Sequence, residues 1–232
     1  MVMPVAHRAS SEAPSSPSWT TRVMPFTVGL LVTVGVVAGV SRYLLPHALH
    51  QAITAPLYGS YAPEQLPVLA RHPVSEALHR LGGSLYMLLG VAQLSTRLRE
   101  RNRSLHRLAG KLFLALTLIA GASGAYMAVA FPYERGETLP SLLFAALMMG
   151  FAMKSFAEIR RGRVASHRAW MIRSFSIGLG IGTIRVFAVA VLHVTTLGAR
   201  EIITPVFWAG WVISLCVAEL WVRRSRSALP SK

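Results

Sequence analysis

Apolar residues gather in six long stretches along this chain, separated by connectors rich in arginine, proline or serine. A helix needs about 20 mostly apolar residues to cross roughly 30 Å of hydrocarbon. On that measure the pattern predicts spans at 25–45, 74–94, 105–131, 139–159, 169–197 and 203–222. The second is the weakest, because its apolar run is short and reaches spanning length only by taking His79 and Arg80 with it. The expected fold class is therefore all-α, an integral membrane bundle of six helices. Residues 1–22, rich in Ser and Pro, read as a disordered tail, 46–73 as the one sizeable outer loop and 223–232 as a basic tail. The segment before the first span is long for a signal peptide, and AGVS at 38–41 is a poor cleavage site. Span one therefore reads as an uncleaved anchor.

Composition strengthens the membrane reading. The chain is 53% hydrophobic and 14% charged, where soluble domains carry about a quarter charged residues. All nine acids are Glu, which removes the NTPases, EF-hands and aspartyl-phosphate pumps that need an Asp. The single Cys216 removes internal disulfides, cysteine-ligated iron–sulfur clusters and covalently attached c-type haem.

Charge then supplies an orientation. Of 24 basic residues, 21 are Arg. Arg97, Arg99, Arg101, Arg103 and Arg107 crowd the link between spans two and three, and Arg160, Arg161, Arg163, Arg168 and Arg173 the link between spans four and five. Arg223, Arg224, Arg226 and Lys232 follow span six, and Arg8 and Arg22 precede span one. Positive charge collects on the cytoplasmic side, so both termini are expected there, in a bacterial inner membrane. A net charge of +15 would suggest nucleic acid in a soluble domain, but here it is spread over short juxtamembrane links without binding motifs. Anionic lipid headgroups are the expected partner and nucleic acid is not.

The polar residues within the spans carry the candidate chemistry. His79-Arg80-Leu81-Gly82-Gly83 in span two is nearly repeated as His106-Arg107-Leu108-Ala109-Gly110 in span three. At 100° per residue, His79, Gly83, Tyr86, Gly90 and Gln93 share one helical face. In span five His167, Ser174, Gly178, Gly182, Arg185 and His193 fall within about 100° of arc. Arg185 lies about 27 Å along that helix from His167, where an unpaired arginine costs at least a few kcal/mol. No acid is an obvious partner at that depth, which leaves backbone carbonyls, Gln93, water or an anionic ligand. Gly178 and Gly182 form a GxxxG pair, a packing face for a neighbouring helix, a partner subunit or a second copy of the chain. The plainer reading has weight too: His106 and His167 stand beside the candidate N-caps Ser104 and Ser166, and Arg80, Arg107 and Arg168 serve as headgroup anchors. Lys111 and Lys154 read as snorkelling side chains without function.

Several of these motifs resemble a known family. His79 with Gly90-Val91-Ala92-Gln93, the LHRLAGKLF run at 105–113 and the ASHRAWMIRSF run at 165–175, with Arg185 downstream, are similar to a bacterial membrane-protein family with a domain of unknown function. The resemblance covers about 75–195 and implies a helical inner-membrane protein without an established activity.

Three functions follow from the residues. The first is redox: a b-type haem held by two histidines, His79 with His193 as an outer pair or His106 with His167 as an inner one, and Arg80, Arg107 and Arg168 facing propionates. His167 and His193 stand about 39 Å apart along one helix, too far for efficient transfer between two haems, so a single haem is the form expected. The second is transport of a small solute or proton through Arg185. Against it, no carboxylate reads as buried. The third is a non-catalytic scaffold or accessory subunit docking through its small-residue faces. A lesser possibility, a metal on His47, His50 and His72 of the outer loop, is outweighed by their reading as surface histidines.

Overall fold

The computed structural model describes residues 19–46, 48–52, 71–132 and 134–227, and every regular element among them is helical. The expected tail at 1–18, residues 228–232, His47 and most of the outer loop lie outside the described residues. Six long helices form: α1 (Trp19–Leu44), α2 (Pro73–Leu94), α4 (Arg103–Ala130), α5 (Thr138–Arg160), α6 (Val164–Val194) and α7 (Ala199–Ser227). A six-residue helix, α3 (Thr96–Arg101), joins α2 to α4, and a 3-10 turn, Arg135–Glu137, precedes α5. The expected tails are thus shorter than the pattern suggested, since residues 19–22 belong to α1 and 223–227 to α7. Helix ends are set by backbone capping, which hydropathy does not register.

Among the described residues, five helices are long and apolar enough to cross a membrane: α1, α4, α5, α6 and α7. Helix α2 falls short because Glu76, His79, Arg80 and Gln93 dilute its apolar residues. Those residues do not face outward. Glu76 is buried, whereas Leu78, Leu81, Leu85 and Leu88 are exposed on the outer side of the same helix. The whole bundle repeats this inversion, with leucines and valines outside and Ser84, Thr117, Ser155 and Ser174 within. Apolar side chains lining the outside suit a hydrocarbon solvent.

Local chemistry explains the connections. Pro73 opens α2 at a position where its missing N–H costs nothing. The Ser95 hydroxyl accepts from Leu98 N–H (3.2 Å), and the Asn102 amide oxygen accepts from Leu105 N–H (2.9 Å), so the 95–102 link is closed by two side-chain caps. The caps expected at Ser104 and Ser166 do not form there, because both serines lie inside their helices. Between α5 and α6, Gly162 takes a left-handed φ of 73°, which ends the helix at no steric cost.

Consecutive long helices alternate in direction. His79 at the start of α2 meets Ala120 toward the end of α4, while Gln93 at the end of α2 meets His106 at the start of α4. The links 95–102 and 161–163 therefore share one end, the arginine-rich end. Helix α6 occupies the centre, packed against α1, α2, α5 and α7. Its glycines make this possible. A Cβ on Gly178 would collide with the Tyr86 ring of α2, and one on Gly182 would lie 2.6 Å from the Leu31 carbonyl oxygen of α1. The GxxxG face expected to receive a partner subunit or second copy is thus buried inside its own chain. Tyr86 donates to the Ser174 carbonyl (3.0 Å) and stacks on Phe113 (centroids 4.7 Å apart), joining α2, α4 and α6.

Candidate functional site

Opposite the arginine-rich end, the helices line a cavity of about 240 Å3. Its wall is mostly apolar, with Ile177, Val206, Phe207 and Trp211 at the core side. Set into this wall are His79 and Arg80 from α2, Arg185 from α6 and Glu137 from the 3-10 turn. Helix α1 adds Gly35 and Gly39 to the lining.

Each polar group reaches the cavity for a local reason. His79 sits one turn into α2, and Gly124 of α4 leaves space for its ring, since a Cβ there would lie 2.8 Å from Cε1. The His79 Nδ1 lies 3.1 Å from the Ala120 carbonyl oxygen. A carbonyl only accepts, so Nδ1 carries the proton and Nε2 is the ring nitrogen left to a ligand. Arg185 donates to the Ile181 carbonyl one turn earlier (3.0 Å), which bends its side chain back along α6. Glu137 is 3% exposed, brought inward by the turn that starts α5.

A second charged group braces the cavity from behind. The Glu76 carboxylate pairs with Arg42 of α1 and Arg80 of α2, both at 3.1 Å, and Arg80 also donates to the Ala38 carbonyl (3.1 Å). Helix α1 is thereby fastened to α2 beside the cavity. The expectation that no carboxylate is buried is overturned, since Glu76, Glu137 and Glu158 all are. Glu76 is legible afterwards as the i,i+4 neighbour of Arg80. Glu137 carried no signal, because it stands in a connector between two spans. Glu158 holds the α5–α6 turn, pairing with Lys154 and Arg161 (3.4 Å each) and Arg163 (3.7 Å).

The remaining expected site residues separate into groups. His106 and His167 come together at the arginine-rich end, close enough for their charges to interact. His167 Nδ1 lies 2.7 Å from the Ser155 hydroxyl, whereas His106 Nδ1 is buried with no hydrogen-bond partner among the described residues. Arg107 and Arg168 are exposed. Gln93 donates to the His106 carbonyl (3.2 Å) at that same end, far from Arg185. His193 is exposed on the last turn of α6, its Nδ1 2.8 Å from the Val189 carbonyl, and does not line the cavity with His79. On the outer loop, His50 is buried with Nδ1 3.0 Å from the Ser41 hydroxyl, and His72 stacks on Phe131. Among the described residues no three His, Cys, Asp or Glu side chains gather as a metal site. Glu219 pairs with Arg173 (2.7 Å), not with Arg185, so it bridges α6 and α7 near the arginine-rich end.

Fold and site together define a multi-pass helical membrane protein with a mostly apolar cavity between its helices, into which a few polar side chains are set. The family model described as "Predicted membrane protein (DUF2306)" matches residues 76–222, more than half the chain, and the chain belongs to that family. Helix α1, which walls the cavity, precedes the matched region. No curated protein and no solved structure matches the chain.

Proposed function

We propose that the cavity is a binding site for a small solute and that the protein works as a solute carrier or solute-binding membrane subunit. One observation carries this reading: His79, Arg80, Glu137 and Arg185, from three separate elements, converge on one cavity within an otherwise apolar wall. Mostly apolar pockets with a few convergent polar groups are the usual form of a ligand site. Intramembrane charges of this kind commonly mark solute pathways. The arginine-rich end faces the cytoplasm on this reading, placing the cavity toward the outer side. Reporter fusions in the 95–102 and 161–163 links should both report cytoplasmic, and opposite results would remove the orientation.

Gly83 offers a direct test. It lines the cavity, and a Cβ added there meets nothing within 4 Å. Gly83→Leu should therefore fill the cavity while leaving thermal stability in detergent nearly unchanged. A panel of small amphiphiles titrated against tryptophan emission should find a saturable ligand for the wild type that this variant does not bind. A ligand bound equally by both proteins would place the site elsewhere.

A second reading, a b-type haem on His79, has its own support. Metal-bound histidines are commonly held by a hydrogen bond from the other ring nitrogen to a carbonyl, as His79 is held by Ala120. Arg80, in the same wall, is positioned to face a propionate. The cavity volume, about 240 Å3, lies below the roughly 300–1,000 Å3 of ordinary ligand sites, so a macrocycle requires the helices to spread. A reduced-minus-oxidised spectrum of protein from haem-replete cells decides the matter: absence of b-type bands removes this reading.

A further inference from the structure

From the charge and volume of the cavity we infer that its ligand is a small amphiphilic monoanion, a short apolar body carrying one carboxylate. The inference rests on the solute-binding reading above and adds the chemical class. Among the described residues within the bundle at this end, Arg80 and Arg185 line the cavity with Glu137, and Arg42 and Glu76 stand behind them, three arginines against two glutamates. Each of these cations has interactions within the protein, and together their charge exceeds that of the two glutamates by one. A surplus positive charge beside a mostly apolar wall favours a ligand that brings one negative charge. A cation would deepen the surplus, and a dianion would reverse it.

Size and polarity set the rest. A cavity of about 240 Å3 stands at the small end of ligand sites, which suits a short alkyl chain better than a large solute. The apolar wall at Ile177, Val206, Phe207 and Trp211 suits the body, while Arg185 stands where the charged head belongs. A guanidinium binds a planar carboxylate through two parallel hydrogen bonds, which a halide cannot match. Trp211 lines the cavity with its indole N–H bonded to the Ile177 carbonyl (3.1 Å), so its emission reports occupancy.

The test uses full-length protein in phosphatidylcholine nanodiscs, titrated with sodium hexanoate, 1-hexanol, hexylammonium chloride and sodium chloride. Hexanoate should quench tryptophan emission saturably and bind at least tenfold more tightly than hexanol or hexylammonium, with chloride not competing. Arg185→Leu should reduce the preference for hexanoate over hexanol at least fivefold, and Arg185→Lys should keep most of it. If hexanol binds as well as hexanoate, the cavity is a solute site but the anion inference falls. Saturable binding of none of the three hexyl compounds defeats the inference, and failure of the wider amphiphile panel defeats the solute-binding reading itself. A hexanoate preference that survives Arg185→Leu overturns the placement of the head. The wild-type comparison of the four probes decides the class even if Arg185→Leu does not fold.

Discussion

Glu76→Gln is expected to lower the stability of the purified protein by roughly 3 kcal/mol, the lower end of the range for breaking a buried ion pair. The carboxylate is 2% exposed and holds two arginines at 3.1 Å each, one from α1 and one from its own helix. Removing its charge leaves Arg80, whose side chain is 12% exposed, beside Arg42 without their shared counter-charge. The lower end of the range applies because Arg42, at 22% side-chain exposure, retains some access to the surroundings. The effect is measurable by SDS titration of the folded protein. A change below about 0.5 kcal/mol, the value of a minor surface pair, would show that the clamp contributes little. The variant Glu76→Leu combined with Arg80→Leu should recover part of the loss, because an apolar pair of similar volume removes the uncompensated charge.

Gly182→Leu should be comparably damaging for a different reason. The added Cβ would lie 2.6 Å from the Leu31 carbonyl oxygen and 3.1 Å from the Leu31 Cα. These are backbone atoms, so no rotamer change relieves the clash and α1 must move away from α6. Overpacking of this kind costs about 3 kcal/mol, the upper part of its usual range. Because α1 supplies Gly35 and Gly39 to the cavity wall, its displacement should abolish hexanoate binding as well. Gly182→Ala and Gly182→Leu should both lower the thermal midpoint in detergent, the leucine more. Retention of wild-type stability by Gly182→Leu would mean that α1 does not depend on this contact. Gly83 and Gly182 are both helical glycines near the cavity, but of the two only Gly182 opposes a backbone.

The main helices were readable from apolar runs, and α2 shows where that measure weakens. Its Glu76, His79, Arg80 and Gln93 lower its hydropathy, yet all four face other helices rather than the outside. The helical-wheel face of span five was partly legible. Ser174, Gly178 and Gly182 are buried together as the 100° spacing requires, but the same spacing grouped His193 with them. Helix α6 extends beyond the packed core there, so its last turn has no helix to bury that face. His106 and His167 could be expected at one end from helix alternation. Their separation from His79, Arg185 and Glu137 depended on which helices pack together.

The sequence by itself determined that this chain forms apolar helices and that its arginines concentrate in alternate links. Both follow from sums over neighbouring residues, because transfer to hydrocarbon and helix formation are governed locally. Tertiary structure alone decided that Glu137 shares a cavity with Arg185, that the GxxxG face is closed by α1 and α2, and that Gln93 serves the other end. Those outcomes depend on the rotation of each helix and on contacts between residues far apart in the chain. Close packing of side chains and glycines settles them, and no local sum contains that information.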